Sequence, residues 1–163
     1  MIRTLIAVAI SLATALPAAA QMKHGFRSYK WGDPPPKDSV YLAPSSDGGE
    51  MRRLPSEPLA IGDVKLDILV FYYWKGGLTT VQATLRRPRA LETILKEKWG
   101  GGVTSASVPD GRVWGLESNG KSTRASLFWN TDETEGRFMI QSQDALDRQE
   151  ADAKARARKA KGL

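Results

Sequence analysis

The 163-residue sequence contains no cysteine and only one histidine. Without thiols there is no disulfide, no thiolate nucleophile, no Cys-zinc site and no cysteine to carry an N-terminal lipid. A catalytic triad that needs a positioned imidazole has a single candidate, His24, which is expected to be solvent-exposed in an extended lead-in. Long apolar runs are scarce as well. Apart from residues 5–16, no stretch approaches the roughly 20 apolar residues a spanning helix requires.

That one apolar run stands in a telling place. Arg3 precedes it, Leu5 to Leu16 is apolar except for Ser11 and Thr14, and Pro17 then leads into Ala18-Ala19-Ala20. A positive end, a short apolar core and an A-x-A site predict a cleavable secretory signal peptide over residues 1–20. Cleavage is expected after Ala20, giving a periplasmic or secreted protein with no transmembrane segment left. An uncleaved anchor is the alternative, disfavoured by the length of the core.

The net charge of +6 is unevenly placed. Of the 24 basic groups, Arg3 belongs to the leader and five more lie in the last ten residues, leaving 18 against 18 acidic groups in the body. The basicity therefore belongs to a tail.

Between leader and tail, residues 21–142 are expected to form one domain. His24 to Gly32 reads as an extended lead-in that can hold a first short strand, and Pro34-Pro35-Pro36 puts a stiff bend after it. Residues 43–60 read mostly as loop, with a short strand near Met51-Leu54. Val64 to Trp74 is the strongest strand: Val64, Leu66, Ile68, Val70, Tyr72 and Trp74 share one period-two face. Gly76-Gly77 then turns it into a partner strand, 78–86.

Pro88 suits a helix start, Leu91, Ile94, Leu95 and Trp99 recur at helical spacing, and Gly100-Gly101-Gly102 ends the run. Strands over 112–117, 123–129 and 137–141 complete an antiparallel meander. Residues 143–163 place Asp144, Asp147, Glu150 and Asp152 before the run of bases that starts at Lys154, an order that suits the helix dipole. The fold class is thus α+β: an antiparallel sheet of about five or six strands, one packed amphipathic helix and a polar C-terminal helical tail.

Chemical signatures are weak. Asp132-Glu133-Thr134-Glu135 lacks the ligand spacing of a calcium loop and reads as a charged hairpin tip. Asp63, Asp67, Asp110 and Glu117 are carboxylates that no spacing pairs, and no serine stands in a G-x-S-x-G elbow. No metal or cofactor is expected. Among the aromatic residues, periodicity assigns Trp74, Trp99 and Trp129 to the core, leaving Tyr73 and Trp114 as candidates for an exposed ligand-binding patch. Lys154, Arg156, Arg158, Lys159 and Lys161 are candidates for weak contact with an anionic surface. No aromatic residue interleaves these charges, so specific nucleic-acid binding is not expected.

Several segments together carry a resemblance: Phe26-Arg27 with Lys30-Trp31-Gly32, Leu59-Ala60-Ile61-Gly62-Asp63, and Val70-Phe71-Tyr72-Tyr73-Trp74-Lys75-Gly76-Gly77-Leu78. The helix Leu91-Glu92, Leu95, Lys98-Trp99-Gly100, then Val113-Trp114-Gly115 and Phe138-Met139-Ile140, extend it. On these residues the chain resembles a group of small exported bacterial proteins of unknown function, over most of residues 26–141. Pro34-Pro35-Pro36 and Trp99 depart from the group, which has non-proline residues and Phe there. The resemblance implies the fold and the exported location, and no activity, cofactor or residue role.

The function expected from sequence is that of a soluble envelope protein, most simply a non-catalytic module that binds an envelope protein or ligand through its sheet face or loops. A hydrolase using a carboxylate pair or a Ser–Lys pair is one alternative. Adhesion to an anionic surface through the tail is the other.

Overall fold

The computed structural model describes residues 24–105, 108–118 and 121–160. The expected signal peptide, Asn119-Gly120 (a sequence that suits a tight turn) and Lys161 lie outside these residues. In chain order the elements are β1 (Gly25–Phe26), β2 (Tyr29–Lys30), β3 (Val40–Pro44), β4 (Glu50–Arg53), β5 (Ala60–Ile61), β6 (Val64–Lys65), β7 (Ile68–Trp74) and β8 (Gly77–Leu85). Helix α1 (Pro88–Trp99) is followed by β9 (Val103–Ser105), β10 (Val108–Ser118), β11 (Lys121–Trp129) and β12 (Gly136–Ser142), and α2 (Gln143–Ala160) ends the fold.

The protein is α+β, but its main sheet has eight strands rather than five or six, in the order β3-β4-β7-β8-β12-β11-β10-β9, each pair antiparallel. The extra strands are β3 and β9, short outer strands with no periodic pattern, and β3 falls across the start of the expected loop. The lead-in forms its own two-stranded ribbon, β1–β2, instead of joining the sheet.

One face of the sheet is the core. Phe71 stands opposite Val81, Val81 opposite Ile140 and Ile140 opposite Ala125, so β7, β8, β12 and β11 present one continuous apolar row. Helix α1 closes this face with Leu91 and Leu95, and Phe26 of β1 meets Phe71 edge-on at 6.0 Å. Pro88 opens α1, where its missing N–H costs nothing. Gly100, at φ +82°, stops it and donates its amide to Lys96 O at 2.9 Å. Arg27 ties β1–β2 to the segment before β6, pairing with Glu57 at 2.5 Å and donating to the Ala60 carbonyl.

The strand expected over 64–74 is broken, and the break reverses its faces. Val64 pairs with Ile61 in the separate β5–β6 ribbon, and the chain joins the main sheet only at Asp67, whose amide bonds Thr84 O at 2.8 Å. From there the inward residues are Leu69, Phe71 and Tyr73, while Ile68 is 54% exposed. Lys75 (φ 50°) and Gly76 (φ 80°) then make the tight turn, both in the left-handed region that suits sheet twist. Among the described residues, no helix is long and apolar enough to cross a membrane.

Candidate binding site on the open sheet face

The face away from α1 is built quite differently. Strand register sets Tyr72, Thr80 and Gln141 in one row, then Val70, Gln82 and Met139, then Ile68, Thr84 and Arg137. Polar side chains thus fill the middle strands of a surface that is half-exposed rather than sealed. Helix α2 leaves β12 without a loop and folds back over the first row. Ser142 caps its start, its Oγ accepting the Ala145 amide at 3.3 Å.

A cavity of about 330 Å³ remains between α2 and the sheet, lined by Asp47, Tyr72, Thr80, Gln82, Gln141 and Gln149 among others. Tyr72 Oη donates to Asp47 Oδ1, and Asp47 also accepts the Gly49 amide at 3.2 Å. Burial pushes the Asp47 carboxyl up, but the donors Tyr72 and Gly49 outweigh it and hold the group below its usual range. Burial, followed by the bond to that carboxylate, pushes the Tyr72 phenol up to about 12. Gln141 Nε2 donates to Thr80 Oγ1 at 3.4 Å. Gln149 Nε2, in contrast, is buried without a hydrogen-bond partner.

Chemically, this set offers hydroxyls, primary amides that both donate and accept, and one carboxylate already engaged by a phenol. The Ser45 and Tyr72 hydroxyls both bond the Asp47 carboxylate, and among the described residues no lysine, histidine or second carboxylate joins the lining. The carboxylates weighed for hydrolysis are all exposed and scattered: Asp63 in the β5–β6 turn, Asp67 beside Arg86 at 3.7 Å, Asp110 and Glu117 along β10. Among the described residues, no cluster of three or more His, Asp or Glu side chains could hold a metal ion. Asp132 to Glu135 form the β11–β12 tip, where Glu135 donates its amide to Asn130 Oδ1 at 3.0 Å and Glu133 pairs with Arg89.

The two aromatic residues expected on an exposed patch lie inside instead. Tyr73 is 1% exposed, carried inward by the reversal of β7. Trp114, opposite Ala125 on the core face, is 3% exposed and donates its Nε1 to Gly100 O at 2.9 Å. Neither reaches the cavity. The tail residues Lys154, Arg156, Arg158 and Lys159 are on the exposed end of α2. The cavity itself went unforeseen because its members come from the β3–β4 loop, four strands and a helix, with no local motif to join them. No family model, curated protein or solved structure matches the chain.

Proposed function

We propose that this is an exported envelope protein that acts as a non-catalytic binding module, taking a small neutral ligand rich in hydroxyl or amide groups beneath α2. The observation that carries this reading is the unpartnered Gln149 amide in a cavity whose hydroxyl and amide groups outnumber its one carboxylate, Asp47. A buried donor left unsatisfied costs about 1–3 kcal/mol, which a ligand oxygen accepting from Gln149 Nε2 would recover. The hydroxyl and amide groups of Thr80, Gln82 and Gln141 suit a ligand that trades hydrogen bonds without carrying charge. Export follows from the N-terminal sequence pattern.

The test is a titration of the 15N-labelled chain beginning at Gln21 with neutral monosaccharides, disaccharides and short blocked peptides, following the side-chain amide resonances of Gln82, Gln141 and Gln149. Saturable shifts confined to these groups, lost in Gln149→Leu, are the expected result. Resonances that stay put across the panel, or a response that survives in Gln149→Leu, would overturn the reading.

A further inference from the structure

Helix α2 changes character at Ala153. Up to Asp152 it carries four acidic residues and touches β11 and β12, and Lys75 of the β7–β8 turn pairs with Asp152 at 3.0 Å. Beyond that point the sequence holds no acid and five bases: Lys154, Arg156, Arg158, Lys159 and Lys161. Every residue from 153 to 160 is exposed. Lys154 and Arg156 lean back on Glu150 and Asp152, at 2.5 and 3.6 Å. Arg158 and Lys159 have no ion-pair partner among the described residues. Since the body balances 18 bases with 18 acids, the chain's excess positive charge after the leader is held out on one helical arm.

The arrangement of that arm favours a flat anionic partner. One side of α2, carrying Asp144, Arg148, Ala151, Asp152 and Ala155, lines a groove against the β7–β8 turn. On that side Ala151 and Ala155, spaced by four and both exposed, make a short strip that bears only methyl groups. Lys154 and Arg158 border the strip on one flank, and Arg148 and Lys159 border it on the other. A helix of this kind can lie close to a surface while the long basic side chains reach sideways to it.

Large apolar residues that would drive insertion are absent between Leu146 and Leu163, so attraction must come from charge. The segment also has no aromatic residue on which a nucleic-acid base could stack. We infer that the C-terminal half of α2 is an arm that docks the folded body reversibly on an anionic phospholipid surface.

The experiment is co-sedimentation of the chain beginning at Gln21 with vesicles of phosphatidylglycerol and phosphatidylcholine, and with vesicles of phosphatidylcholine alone. Excluding the leader matters, because its apolar run would partition by itself. Binding is expected only to the phosphatidylglycerol vesicles, and to fade as salt is raised. The triple variant Arg158→Gln, Lys159→Gln, Lys161→Gln alters exposed or terminal charges, so its thermal midpoint should match that of the parent. Its affinity should fall about tenfold or more, since each basic residue near such a surface contributes appreciably. Undiminished binding by the triple variant, or equal binding to phosphatidylcholine alone, would overturn the inference. Equally tight binding of soluble polyphosphate would also overturn it, by making the arm a general polyanion contact.

Discussion

At the scale of single residues, Glu92 stands out among the described residues for the number of cations it engages. It is 4% exposed on the inner side of α1 and accepts from Arg89 at 2.8 Å, Lys96 at 2.8 Å and Arg112 at 3.1 Å. Burial raises its pKa, but these three donors prevail and hold it at about 2, against an ordinary 4.5. A depressed folded-state pKa adds stability that is complete above 4.5 and lost as pH falls from there towards 2. We therefore expect Glu92→Gln to cost about 3 kcal/mol near neutrality and to flatten acid denaturation across that window. Urea midpoints at stepped pH measure this, and parallel pH curves for the two proteins would refute it. Gly102 is fixed for a different reason. At φ +65°, an added Cβ would lie 2.8 Å from the Trp114 indole. Gly102→Ala should cost about 1–3 kcal/mol through strain and displacement of that ring, visible as a lower thermal midpoint and altered tryptophan emission. In the sequence, Glu92 stands out only as half of a helical pair with Lys96. Its third partner, Arg112, arrives from β10, and nothing local to α1 announces it.

Elements show more plainly what the sequence made legible. Helix α1, the β7–β8 hairpin and the β10–β11–β12 meander were readable because each is long, and its periodicity and turn residues agree. The faces of β7 were not. Period two holds on both sides of Leu66, but Val64 of the separate β5–β6 ribbon and Leu66 just after it turn inward, while the main sheet takes Leu69, Phe71 and Tyr73. A bend shifts the phase by one residue, and one residue exchanges the faces completely. The same blindness hid the cavity, because Tyr72, the residue expected inward, is the one that reaches Asp47. Helix α2 depends on its first turn to cover that cavity, so its cap matters. Ser142→Ala should cost about 1 kcal/mol and speed amide exchange over residues 145–149, leaving β7 and β8 protected. Exchange that rises equally in the hairpin would show that α2 is not a separate unit. The Lys75–Asp152 pair is exposed and adds little to this anchoring, so the packing of Ala145 carries more of it.

For the molecule as a whole, the consequential fact is that the sheet is open. Eight strands curl over one apolar face without closing, so β3 and β9 are left as edges. Protein edges invite pairing with other chains unless charge, proline or a bulge blunts them. Here β3 carries Val40, Tyr41 and Leu42 exposed in succession, and Val103 of β9 is exposed too. Protection on β3 comes from Pro44, which lacks an N–H, and from the irregularity between Tyr41 and Ala43, which leaves Leu42 without a register partner in β4. Leu42 is 47% exposed, so its side chain contributes little to the fold while adding apolar surface to the edge. Leu42→Lys should therefore leave the thermal midpoint nearly unchanged, within about 0.5 kcal/mol, because surface substitutions of this kind are close to neutral. It should also lower concentration-dependent self-association in sedimentation velocity, since an added charge opposes edge-to-edge pairing. A clear loss of stability would mean that Leu42 packs within the fold. Unchanged association would move the sticky surface to β9, where Val103→Lys is the matching substitution.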